Sequence, residues 1–379
     1  MAAVEPRRST DPADLQAWLR LLLVPGIGRE SARRLLAAFG SPAAVVAAAD
    51  DALSTLLGAR QAAELQREPA DLPAVLGRVL DWLQGGSDRH VITLGDTAYP
   101  GALLESPDPP LLLYVQGQLQ HLAMPAIAVV GSRNPSAQGR DNAHAFARQF
   151  ATAGYGVVSG LALGVDGAAH EGALAGGGAT LAVVGTGPDR VYPPRHRDLA
   201  QRIAASGALI SEFVPGTPPL AENFPQRNRI IAGLTQGTLV VEAALRSGSL
   251  ITARLANEAG RDVFAIPGSI HAEQSRGCHA LIRDGARLVE SAEEVLDELR
   301  QRRLPIPGAP EQTAASSSPN SDDADPLLDA LGHDPVTLDS LQARTGWPTS
   351  DLLGRLLELE LDGRVARLPG GLFQRRGLA

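Results

Sequence analysis

Lysine occurs at none of the 379 positions, so all 34 basic residues are arginine. A phosphate-gripping loop of the Gly-x-x-x-x-Gly-Lys-Ser/Thr kind needs its lysine, and this absence excludes a P-loop ATPase or GTPase. Cysteine occurs once, at Cys278, which excludes an internal disulfide and fits a reducing compartment. His271, Glu273, Cys278 and His279 lie close together, but no Pro-Cys-x-x-Cys piece follows, so neither a zinc deaminase site nor any other metal or cofactor is expected. No apolar run reaches the roughly 18 residues a membrane helix needs. The best candidate, 35–49, is broken by Gly40 and Pro42. The first residues mix acidic, basic and apolar types, unlike a signal peptide. Together these absences predict a soluble, cytoplasmic protein without membrane contact. Positive charge is also short: the formal net charge is −8. Any nucleic-acid site must then be a local patch on an acidic body.

What is present divides along the chain. Residues 1–86 are read as helical, with Leu15, Trp18, Leu19, Leu22 and Leu23 at helical spacing. Val24-Pro25-Gly26-Ile27-Gly28 within them is a helix–hairpin–helix signature, which either offers amides to a DNA phosphate or only packs. Residues 87–303 alternate short apolar runs (127–130, 156–159, 180–184, 208–210, 238–241, 262–266 and 287–289) with helical patterns. That alternation predicts a mostly parallel, doubly wound α/β sheet covered on both faces. Residues 304–325, rich in Pro, Ser, Ala and Asp, read as a flexible linker. Residues 326–379 read as three helices and a hairpin, a winged helix. Its third helix, 349–362, carries four carboxylates against Arg355, which is wrong for a groove-reading helix and points to a protein contact instead.

Several strand ends carry residues suited to anions. Gly131-Ser132-Arg133 follows the strand at 127–130, where open α/β sheets bind ligands. There a glycine and a helix N-terminus favour an anion, and an arginine can grip a phosphate twice. Ser159-Gly160 opens a second such turn. It leads to Asp166, a candidate helix N-cap, and to His170, for which packing is favoured over catalysis because no serine stands in a Gly-x-Ser-x-Gly elbow. Gly185-Thr186-Gly187 lacks the third glycine of a dinucleotide fingerprint. The most informative stretch is Asn223 to Leu234. Arg227, Asn228 and Arg229 sit beside Phe224 and Pro225, offering phosphate contacts, an amide and a stacking face for an unpaired base. Between Asn223 and Arg254 four arginines stand against Glu242 alone. Ser247-Gly248 opens a further anion pocket, and Glu242 is either a catalytic carboxylate or the group that orients Arg227 or Arg229.

These motifs, in this order, resemble the DNA-processing protein A (DprA, or Smf) family from Tyr99-Pro100 to about Glu290. The resemblance also rests on Pro109-Pro110-Leu111-Leu112-Leu113-Tyr114, Tyr192-Pro193, Ser211-Glu212, Pro267-Gly268 and the stretch from Leu281 to Ala286. It implies an extended Rossmann-like domain that binds single-stranded DNA, forms a homodimer and loads RecA recombinase onto incoming strands during natural transformation. It places the phosphate pocket on Gly131, Ser132, Arg133, Ser159 and Gly160, with Phe224 to Arg229 and Ser247-Gly248 lining the same region. His196 and His279 stand where the family commonly has asparagine. The alternative is a nucleotide phosphoribohydrolase, in which Glu242 would stabilise the reacting ribose; its Pro-Gly-Gly-x-Gly-Thr turn is replaced here by Ala232-Gly233-Leu234-Thr235-Gln236-Gly237-Thr238.

Overall fold

Pro12 at the first helical position and the Asp11 carboxylate, which accepts from the amide of Ala13, start the helix Pro12–Leu23. The chain reverses at Gly26, whose φ of +81° suits glycine, and Gly28 caps the next helix, Arg29–Phe39. Short helices follow to Leu72–Gln84. Their shared core is formed by Leu15, Leu19, Leu35, Leu53 and Val79, and it continues onto Leu112 and Tyr114. Trp82 meets Tyr114 edge-on at 5.9 Å. The helical unit therefore packs directly on the sheet. The computed structural model describes residues 11–303, 326–332, 336–368 and 372–375; the linker read over 304–325 and the Pro369-Gly370 turn lie outside them.

The sheet has nine strands: β1 (Arg89–Thr93), β2 (Leu112–Gly117), β3 (Ala126–Val130), β4 (Gly156–Ser159), β5 (Thr180–Val183), β6 (Ala208–Ser211), β7 (Gly237–Val240), β8 (Asp262–Ala265) and β9 (Arg287–Leu288). Their order is β1-β2-β6-β5-β4-β3-β7-β8-β9. From β6 to β9 all neighbours are parallel. The antiparallel pair β1 and β2 extends one edge, with Tyr114 opposite Ser211. These two strands fall outside the apolar runs marked in the sequence: β1 has only two consecutive large apolar residues, and β2 is preceded by two prolines. The other seven strands fall where the apolar runs predict them.

Residues of β3 to β7 are buried throughout, because helices cover both faces. Ala137–Thr152, Val165–Ala175 and Ala292–Arg303 close one face through Phe146, Phe150, Ala169 and Val295. Asn223–Gly233, Gly248–Glu258 and Arg276–Arg283 close the other through Ile230, Ile231, Ala253 and Cys278. The chain runs from β3 outward to β6, then returns to β7 on the opposite side of β3. The carboxyl ends of β3 and β7 therefore flank the switch point, where such sheets leave a crevice.

The described residues between 326 and 375 form a winged helix: helices Pro326–Leu331, Leu338–Thr345 and Thr349–Leu361 with β10 (Val336–Thr337), β11 (Val365–Leu368) and β12 (Leu372–Arg375) in the order β10-β12-β11. Leu328, Leu341, Leu352, Leu356 and Phe373 make its core. No described helix is long and apolar enough to cross a membrane.

Close packing of the helices Ala137–Thr152 and Val165–Ala175 depends on Gly172. A Cβ there would lie 2.1 Å from the carbonyl oxygen of His144. Alanine is ordinarily the better helix former by about 1 kcal/mol, but this collision with backbone outweighs that gain. We expect Gly172→Ala to destabilise the chain by about 1–3 kcal/mol in urea unfolding. Gly77→Ala, in a helix with no atom within 4 Å of the new methyl, should stabilise it. Equal signs for the two would refute the packing account.

Candidate nucleic-acid interface

An open cleft of about 750 Å³ lies at the switch point. Gly131, Ser132 and Arg133 line one wall, following β3, and Arg246, Ser247 and Gly248 line the facing wall, following β7. Phe224, Pro225, Arg227 and Asn228 come from the first turns of Asn223–Gly233 and complete it, with Tyr192 at the mouth. Arg133 is exposed, and its guanidinium lies 5.6 Å from the centre of the Phe224 ring. The Tyr192 ring lies 5.8 Å from Phe224, tilted by 45°. The cleft thus offers aromatic surface and two exposed arginines, Arg133 and Arg246. The N-terminus of Gly248–Glu258 opens onto it, with nothing within 4 Å of a Cβ built at Gly248. Ser247 caps that helix by accepting from the amide of Ser249.

The other residues picked from the sequence serve the cleft from behind. Arg227 is only 4% exposed. Its Nη1 donates to the carbonyls of Gly160, at 2.8 Å, and Val183, and its Nε to Asn228 Oδ1 at 3.2 Å. Asn228 Nδ2 in turn reaches the Gly248 carbonyl at 3.3 Å. Burial draws Arg227 down to about 10, opposed by the nearby Asp166 carboxylate. Gly160 is required by this arrangement, since a Cβ there would fall 2.5 Å from the guanidinium. Ser159 is fully buried and donates to the Val129 carbonyl at 2.7 Å. Gly131 likewise serves packing: a Cβ would strike Val165 and the Glu242 carbonyl. The amide of Ser132 is already donated to that carbonyl, at 2.7 Å.

Three expectations are corrected. Asp166 is not an N-cap; Gly164 is, and the Asp166 carboxylate accepts from the amides of Gly160 and Ala162 at 3.1 and 3.3 Å, fastening the turn after β4. Burial pushes this carboxyl up, while Arg227 and those amides pull it back. Arg229 leaves the cleft altogether. It projects from the opposite side of its helix to Glu212, at 2.5 Å, and Asp108, at 2.9 Å. An α-helix turns successive side chains by about 100°, so residues 227 and 229 cannot face the same way. Glu242 orients neither arginine. It accepts from the amide and hydroxyl of Ser136, at 2.9 and 2.5 Å, and packs beneath Gly139.

His170 is fully buried, in keeping with a packing role. Its Nδ1 lies 2.7 Å from the Thr180 hydroxyl, which itself donates to Val157, so Nδ1 carries the proton and Nε2 is bare. Burial, with His196 and Arg227 nearby, lowers its pKa to about 3. Cys278 is buried too, and burial pushes its thiol up to about 12. Tyr192 and Arg246 join the site without having stood out as site residues in the sequence. The signals available are Tyr192-Pro193 as a motif and Arg246 as one of four clustered arginines, neither of which tells where a side chain points.

A doubly wound sheet with a cleft of aromatic and arginine side chains at its switch point, flanked by a helix–hairpin–helix unit and a winged helix, defines an extended Rossmann-like protein of three parts. The profile of DNA recombination-mediator protein A matches residues 90–300, that of the DprA winged helix domain residues 310–371, and that of the SAM-like helix-hairpin-helix tandem residues 19–69. The chain belongs to the DNA recombination-mediator protein A family, the DprA or Smf proteins. It is 45% identical to protein Smf of Escherichia coli over 301 residues, 78% of this chain and 80% of that one. The X-ray structure of DNA processing protein A from Streptococcus pneumoniae superposes with a TM-score of 0.65 and 38% identity, over 74% of this chain and 97% of that one. A structure of DNA processing protein A from Helicobacter pylori, described for its single-stranded DNA binding mode, gives 0.51 and 30% over 56% and 96%.

Two outcomes follow from the buried polar centre. Arg227→Met leaves two carbonyls unpaired and Asp166 without its counter-charge, and should cost about 3 kcal/mol or more; a melt like that of the parent would contradict the role. His170 is held neutral when folded but takes up a proton near its ordinary 6.5 when unfolded. Since the unfolded chain binds the extra proton, its contribution to stability is complete above pH 6.5 and is lost progressively as pH falls toward 3. His170→Gln should flatten that part of the stability–pH curve.

Proposed function

We propose that this chain binds single-stranded DNA at the switch-point cleft and does so without catalysis. The observation that carries the reading is Phe224, set among Arg133, Tyr192 and the open start of Gly248–Glu258. Stacking on an aromatic needs an unpaired base, and arginines with a helix N-terminus suit the phosphates beside it. The direct contacts fall to Ser132, Arg133, Phe224, Pro225, Asn228, Ser247 and Gly248. Gly131, Ser159, Gly160, Asp166, His170, Arg227 and Glu242 hold the walls, and Arg229 acts outside them. The description of the Helicobacter pylori structure supports this choice of ligand.

Protection of incoming strands, loading of RecA recombinase during natural transformation or recombination, homodimerisation and residence in the cytoplasm extend the proposal on family resemblance. So do the domain limits 1–86, 87–303, 304–325 and 326–379. A phosphoribohydrolase is disfavoured because it would need Glu242 in the cleft, and that carboxylate is occupied by Ser136.

Fluorescence anisotropy of a labelled single-stranded oligonucleotide over a salt series tests the reading. Each phosphate that is no longer neutralised should reduce the log–log salt slope by roughly 0.7. We expect Arg133→Glu and Arg246→Glu to weaken binding and lower that slope. Phe224→Ala should weaken binding with the slope unchanged, and duplex should compete poorly. Undiminished binding by all three variants would place the site elsewhere. Release of free base from nucleoside monophosphates, abolished by Glu242→Gln, would overturn the non-catalytic reading.

A further inference from the structure

The third helix of the winged-helix unit, Thr349–Leu361, carries two apolar stripes. Leu352, Leu356 and Leu359 are buried in the unit's core. Leu353, Leu357 and Leu361 are 46%, 57% and 80% exposed. At about 100° per residue these three lie one above another on a face well away from the buried one. An exposed leucine by itself is ordinary, but three in register make a continuous ridge. Carboxylates border it: Glu360 on one side and Asp351 on the other, where Glu358 is paired at 2.6 Å with Arg355 of its own helix. Gly354, with open space around it, lies along the ridge and leaves room for close approach.

This border decides what can cover the ridge. Two copies of the helix laid face to face would bring the same carboxylates together. A DNA backbone would be repelled by them. A helix with its own apolar stripe, edged by arginine or lysine, would cover the leucines and meet the carboxylates at once. We propose that Leu353, Leu357 and Leu361 form a docking ridge for a basic amphipathic helix of a partner protein. The unit then recruits protein while the switch-point cleft holds its ligand, and the ridge stands independently of what that ligand is.

The test uses the full chain and two short synthetic helical peptides with the same leucine stripe, one bordered by arginines and one by glutamates, each carrying a fluorophore. The arginine peptide should bind and lose affinity as salt rises; the glutamate peptide should not bind. Leu357→Gln with Leu361→Gln should weaken binding about tenfold or more, the loss of roughly 1.4 kcal/mol. Both positions are exposed, so the melting temperature should hold. If it falls, Glu360→Arg, at the border alone, gives the same reading by weakening the arginine peptide. Equal binding of both peptides, or binding unaffected by either variant, overturns the proposal. So does a change of oligomeric state in light scattering on Leu357→Gln with Leu361→Gln, which would assign the ridge to a second copy.

Discussion

The guanidinium of Arg227 ties together the parts on which the cleft depends. Removing an arginine from water is costly unless its donors are met, and here the carbonyls of Gly160 and Val183, the side chain of Asn228 and the charge of Asp166 meet them. Those partners come from the turn after β4, the last residue of β5, the helix Val165–Ala175 and the helix Asn223–Gly233. The same contacts explain why position 160 has no side chain, why a carboxylate is buried at 166, and why Phe224 is held at the cleft. Asn223, buried and donating to the Gly185 carbonyl at 3.1 Å, fixes the start of that helix against the turn after β5.

The same helix faces two ways. Phe224 and Asn228 look into the cleft, while Arg229 points to Asp108 and Glu212. Arg29 and Arg33, beside the hairpin of the N-terminal unit, reach Asp108 at 2.9 and 2.6 Å. Burial would raise the Asp108 carboxyl, but Arg229, Arg33 and Arg29 outweigh it and hold it below its ordinary value. Arg33 also donates to the Pro109 carbonyl. The cleft helix is thereby connected to the N-terminal helices through Asp108, and also through Glu212, which lies 3.9 Å from Arg29. Two arginines that the hairpin could have turned toward DNA are engaged within the chain, which favours its packing role over a phosphate site.

Much of the fold was legible because its signals are local. Apolar runs such as Ala126–Val130 are short and unbroken because helices cover both sheet faces. Capping residues and glycines stand where helices begin and end, as at Asp11 and Gly40. In the antiparallel pair, β1 was not legible because it has only two consecutive large apolar residues, and the run 111–115 that leads into β2 carries no local sign that it pairs antiparallel at the sheet edge. In the cleft, the types of side chain were readable but their directions were not. Arg227 and Arg229 look alike in sequence, yet one is buried at the centre and the other lies in an ion-pair cluster. Glu242 looked free to act on an arginine until the pairing of β3 with β7 placed Ser136 against it.

By itself, the sequence determined the parallel doubly wound core, the helical and winged-helix units on either side, and the absence of P-loop chemistry. These depend on periodicity, turn residues and a missing lysine, all properties of neighbours along the chain. Only the tertiary structure decided which arginines face the cleft, that Asp166 fastens a turn instead of capping a helix, and that Tyr192 and Arg246 belong to the site. Those outcomes depend on strand order and on which side of a helix meets the sheet, and both are set by contacts between residues far apart in sequence.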